Sequence, residues 1–260
     1  MMSGIVKSGS LASGRHRGNA LRRVMAAASL AVLSLTLSGC LYPKQQLEQN
    51  QLPARDAVAG VQTVVDLYQK DTGLLPMKTA SEKTPKYEKF IVDFSKLQQG
   101  NYISELPAAT FEKGGNYYFV IQNEESDPSV KLMPITIFQA VNDIQAESDR
   151  YKRKNNVIPS GEQAFPGFYR LDYEKLGIKE PELRSVYSGG ALTLMLDENG
   201  RVYADYGIDL MQAVQKYGMD RIKEGEDLRR LLVEQTDFVP VKSPLYELIG
   251  KEPVPQLEKN

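Results

Sequence analysis

Val58, Val61, Val64, Val65 and Tyr68 fall at three- and four-residue spacing along the chain. That is one apolar stripe of an amphipathic helix. Asp56 is placed to cap its start, and Gly73 to end it in a left-handed conformation. Pro76 stops the helix from continuing. Further on the pattern turns strand-like. The runs NYYFVIQ (116–122) and VKLMPIT (130–136) flank the polar stretch NEESDPS, which predicts a hairpin.

The same order then returns. VQTVVDLYQKDTGLLP, from Val61, lies over IQAESDRYKRKNNVIP, from Ile144, without a gap, matching Gln62 to Gln145, Asp66 to Asp149, Tyr68 to Tyr151 and Pro76 to Pro159. FIVDFSKL (90–97) answers YRLDYEKL (169–176), and FEKGGNYYFVI (111–121) answers VYSGGALTLML (186–196). IFQAV (137–141) answers LMQAV (210–214), and VEQTDFVP (233–240) repeats only the helix stop and its proline. In the second copy Asn155 and Asn156 stand where Thr72 and Gly73 stood, and Asn tolerates the left-handed region next best after Gly. A second hairpin is expected from ALTLML and RVYADY around the turn DENG, and paired glycines at 114–115 and 189–190 mark a bend before each hairpin. The expected fold is α+β, two tandem helix–strand–hairpin repeats with mainly antiparallel sheet, followed by C-terminal helices at 208–217 and about 226–236.

The N-terminus reads differently. Lys7, Arg15, Arg17, Arg22 and Arg23 form a basic region without a carboxylate, and VMAAASLAVLSLTL (24–37) is an unbroken run of 14 residues without a charge. It is shorter than the ~20 residues a bilayer-spanning helix needs, and suits the apolar core of a signal peptide. It ends in LSGC, the pattern of a lipobox, and Cys40 is the only cysteine in the chain. Diacylation there would give a stable two-chain anchor. The expected organisation is a signal peptide (1–39), lipidated Cys40 with a polar spacer (40–55), repeat 1 (56–135), repeat 2 (136–217), a C-terminal helix and turn (218–250) and a loose tail (251–260).

Composition narrows the chemistry. From Cys40 onward the chain carries 27 basic against 33 acidic residues, a net charge of −6, and no histidine, since His16 lies in the signal segment. A basic face is the usual footprint of nucleic-acid binding, so no nucleic-acid partner is expected. Without His or a free Cys there is no Ser–His triad, no Cys–His dyad and no ordinary zinc site. No cofactor or metal is expected, and the chain reads as a non-enzyme. Asp93 and Asp172, one per repeat, could face a shared cleft, or each could cap its own turn and pair with Lys96 and Lys175. Tyr68 and Tyr151 could offer ring platforms to a ligand or partner, or could pack in the core.

LSGCLYP, VQTVVDLYQKDTGLLP, VDFSKL and FEKGGNYYF together resemble the YphF-like lipoprotein family of Bacillus relatives. The resemblance implies a surface lipoprotein of a Gram-positive, single-membrane bacterium, and carries no catalytic motif onto this chain. The expected function is that of a non-catalytic, membrane-anchored protein on the extracytoplasmic face, an adaptor for an envelope or membrane protein. The alternative is a solute-binding lipoprotein of an ABC-type importer, with a small-molecule ligand between the two repeats.

Overall fold

The computed structural model describes residues 44–257, with side chains from residue 54 onward. Cys40 and the expected signal peptide lie outside the described residues. The fold is α+β with mainly antiparallel sheet.

Helix α1 (Lys44–Thr72) starts earlier than the stripe implied, so Asp56 lies inside it and the expected spacer is helical from Lys44. The stretch KQQLEQNQ is polar but made of good helix formers. Contacts begin ahead of the expected cap: Ala54 is buried, and Arg55 reaches Asp237 at 3.4 Å. The helix stops as expected. The Thr72 hydroxyl donates to the Tyr68 carbonyl (2.7 Å) and accepts from the Leu74 N–H (3.2 Å), while Gly73 takes a φ of 71°.

The chain then folds back through a single turn of 3-10 helix (Lys86–Glu88). Met77 pairs with Val92, and Ile91 with Val120, as isolated antiparallel bridges. A short helix α2 (Phe94–Gln99) leads to the hairpin β1 (Tyr117–Gln122) and β2 (Ser129–Pro134). The second unit repeats this course with fuller strands. Helix α3 (Ile135–Asn155) is followed by β3 (Ser160–Phe165), β4 (Phe168–Leu171), the short helix α4 (Tyr173–Leu176), β5 (Leu194–Asp197) and β6 (Val202–Ala204). Its sheet runs in the order β3-β4-β5-β6, all antiparallel.

Equivalent residues make equivalent bonds. The Asp93 N–H donates to the Pro76 carbonyl (2.7 Å) as the Asp172 N–H does to Pro159 (2.9 Å). The Asn155 amide donates to Tyr151 O (2.9 Å) where Thr72 bonds Tyr68, and Asn156 takes the left-handed φ of 58°. Thr236, after the C-terminal helix, bonds the Leu232 carbonyl and the Phe238 N–H at the distances seen at Thr72.

Helices α5 (Gly207–Tyr217) and α6 (Arg229–Gln235) lie close to the expected ranges. Beyond α6, residues 237–242 run between the two sheets. The Leu132 N–H of β2 donates to Asp237 O (2.7 Å), the Val239 N–H to Leu132 O (3.0 Å), and the Ala204 N–H at the end of β6 to Lys242 O (2.9 Å). The sheets stay distinct but share this link, whose Val239 and Val241 are fully buried. The last segment corrects the expected loose tail. Strand β7 (Leu245–Ile249) pairs with β8 (Glu252–Gln256). Pro253 and Pro255 sit two apart, so their missing N–H groups fall on one side of the strand, and an edge strand tolerates that. Two apolar cores result. One holds α1 and the β1–β2 hairpin with Phe238, the other holds the second sheet with α5 and α6.

Candidate functional site

The residues singled out in the sequence are placed apart. Asp93 accepts from the Ser95 N–H (3.1 Å) and Lys96 N–H (3.4 Å), capping α2. Asp172 accepts from the Lys175 N–H (3.0 Å), capping α4, and pairs with Lys175 Nζ at 3.0 Å. Lys96 and Lys175 each also donate to the extended segment behind them, to Met77 O (3.0 Å) and Ser160 O (2.8 Å). Each aspartate thus ties a short helix to its own unit. Tyr68 is half-buried and meets the Tyr102 ring edge-on at 5.1 Å, and Tyr151 is half-buried on α3. Among the described residues no group of His, Cys, Asp and Glu is arranged to hold a metal ion.

The structure instead brings charge together where the two units and the C-terminal link meet. A cavity of about 300 Å³ is bounded by Glu88 from the first unit, Asn142 and Gln145 from α3, Arg201 at the β5–β6 turn, and Lys242 from the link. Glu88 is only 7% exposed. Its Oε1 accepts from the Lys242 N–H at 3.0 Å, and its Oε2 lies 3.1 Å from Lys242 Nζ. Both bonds depend on Lys242 taking a φ of 58°, a left-handed conformation uncommon outside Gly and Asn. The Lys242 ammonium also sits 4.3 Å from the centre of the Phe138 ring on α3, a cation–π contact. The Arg201 guanidinium stacks 5.2 Å above the Tyr203 ring.

Gln145 fixes one wall through bonds to Asp149, the Gly200 carbonyl and the Val202 N–H. The cavity is thus walled by the Glu88–Lys242 pair, Asn142, Gln145 and Arg201. Sequence reasoning missed this site. Glu88 and Lys242 sit in unremarkable charged stretches, PKYEKF and PVKSP, and only the link brings them together.

The molecule is thus an α+β protein of tandem units, each a long helix laid against an antiparallel hairpin. Residues 54–134 match the family model of the YphF family N-terminal domain. The match runs from Ala54 on α1 to Pro134, the last residue of β2, and so spans the first unit. No curated protein and no solved structure matches the chain.

Proposed function

We propose that this chain is a non-catalytic lipoprotein, anchored through diacylated Cys40 on the extracytoplasmic face of the cytoplasmic membrane, where it serves as an adaptor for an envelope or membrane protein. The observation that carries this reading is the position of Cys40, the only cysteine, in LSGC directly after the apolar run. The use made of the repeated polar residues supports it. Asp93, Asp172, Lys96, Lys175, Gln62 and Gln145 are spent on internal bonds, which build a scaffold and not a reactive centre. Metabolic labelling with a palmitate analogue, followed by membrane fractionation, tests the anchor. Label should enter the wild-type chain and be lost with Cys40→Ala, which should leave the membrane fraction. Equal labelling of both would sink the reading. Crosslinking in intact cells should then recover one specific membrane or envelope protein.

A second reading, a solute-binding lipoprotein, is favoured by one observation, the cavity of about 300 Å³ at the junction of the units. A thermal-shift screen of small solutes tests it, because a ligand that binds only the folded state raises Tm. A solute that raises Tm in the wild type and not in Asn142→Ala would favour this reading. No response to any solute would remove it.

A further inference from the structure

Helix α1 turns one face inward, where Ala54, Val58, Val61 and Val65 are buried. Thr63 lies at the centre of the opposite face and is exposed. Asp56, Ala59, Leu67 and Lys70 fall within about 40° of it around the helix, and all four are exposed. Leu67 keeps 46% of its surface open. One exposed leucine is ordinary, but its setting here is patterned.

Four residues to either side of Thr63 stand Ala59 and Leu67, a small residue and a large one. Seven residues to either side stand Asp56 and Lys70, an acid and a base. A two-fold axis through Thr63 exchanges these positions, and a self-complementary patch is what a two-fold contact requires. An antiparallel second α1 would set each leucine over an alanine and each aspartate beside a lysine. A parallel second helix would set Asp56 against Asp56 and Lys70 against Lys70, and like charges repel. The Thr63 hydroxyl donates to the Ala59 carbonyl at 3.0 Å, so covering it strands no donor. A Cβ on the neighbouring Gly60 would meet nothing within 4 Å, so the backbone there is open to close approach.

We propose that the outward face of α1 is the contact surface of a homodimer, in which two copies of the chain pair α1 antiparallel about Thr63. Leu67 of each copy packs over Ala59 of the other, and Asp56 of each meets Lys70 of the other. The charges at the two ends set direction and register. A contact one helix wide lies at or below the roughly 1,200 Å² at which stable interfaces begin, so the copies associate reversibly and more as concentration rises.

Oxidative crosslinking of the full chain in a Cys40→Ala background, which leaves no other thiol, tests the geometry. Thr63→Cys sits on the axis and should give a disulfide-linked dimer. Ala59→Cys should not, because its two copies stand about 12 Å apart along the helices, beyond disulfide reach. Mixing Ala59→Cys with Leu67→Cys should restore the crosslink. Sedimentation of the wild type should show a dimer that grows with concentration. Asp56→Lys and Lys70→Asp each turn two attractive pairs repulsive and should weaken association about tenfold, while the two together should restore it. All these positions are exposed, so Tm should hold and separate lost association from lost folding. A monomer at every concentration, equal crosslinking of Thr63→Cys and Ala59→Cys, or a double reversal no better than the singles would each overturn the proposal.

Discussion

Gln62 on α1 and Gln145 on α3 hold the same position in successive units and make the same three bonds. Each carboxamide nitrogen donates to the aspartate one turn on, at 2.7 Å to Asp66 and 2.9 Å to Asp149. Each donates again to a hairpin-turn carbonyl, Pro128 or Gly200, at 3.0 Å. Each carboxamide oxygen accepts from the first residues of the returning strand, at 2.6 Å from the Val130 N–H and 2.7 Å from the Val202 N–H. The glutamine is the pin that fixes a helix to its hairpin.

Removing either pin strands an N–H on a buried valine. Gln62→Ala and Gln145→Ala should each cost about 1–3 kcal/mol. For a chain of this size that is a fall in Tm of roughly 2–4 °C per kcal/mol. The two sites serve different units, so the double substitution should cost the sum of the singles. Denaturant unfolding of the three variants checks this. A double variant no worse than one single would mean that the two pins are not independent.

These pins explain how much of the fold could be read from the sequence. Gln62, Asp66 and Pro76 recur because a bond depends on each, so aligning the chain with itself exposed both units, their hairpins and their helix stops. The start of α1 was obscured because its first turns are polar, and polarity there was read as spacer instead of helix propensity. Strand β8 was obscured because two prolines suggest a tail until their shared side is known. The Glu88–Lys242 contact was beyond reach for another reason. It joins residues far apart in sequence, and the left-handed turn at Lys242 leaves no compositional mark.

The paired glycines differ in what they tolerate. A Cβ on Gly115 would lie 2.2 Å from the Ala109 carbonyl oxygen and 2.6 Å from that of Ala108, backbone that cannot yield cheaply. On its counterpart Gly190, the nearest heavy atom would be the Ser188 hydroxyl at 3.3 Å, the end of a side chain. Gly115→Ala should therefore destabilise by about 1–3 kcal/mol or more, and Gly190→Ala by much less. Calorimetric Tm values for the two variants check the contrast, and equal losses would contradict it.

Acid should act on Asp172 in a definite direction. Its carboxyl is held below the usual value of 3.8, first by the Lys175 backbone N–H and then by the Lys175 side chain. A depressed carboxyl contributes stability that is present above its unfolded value and is lost as pH falls through the folded one. Tm should thus decline below about pH 3.8, and Asp172→Asn should show a shallower decline over that interval at the price of a lower Tm near neutrality. Tm measured against pH for both proteins tests this, and parallel curves would remove Asp172 from the acid response.

Glu88 and Lys242 make the sharpest test of how the units are joined. The Glu88 side chain is 6% exposed and that of Lys242 20%, and their contact ties the first unit to the link, and through Phe138 to α3. Breaking a buried pair from one side leaves the other charge uncompensated, at a cost of about 3–5 kcal/mol. Glu88→Ala should fall in or near that range and should also free the Lys242 N–H, whose left-handed conformation the carboxylate holds. Lys242→Met should be comparably costly, because it strands Glu88. The double variant Glu88→Gln with Lys242→Met removes both charges but keeps an acceptor for the Lys242-position N–H, so it should recover much of the loss. Equilibrium unfolding of these proteins, with the single Glu88→Gln added to close the cycle, measures the coupling. Strict additivity would mean that the pair does not hold the units together, and the link alone would then have to do so through Val239, Val241 and its bonds to β2 and β6.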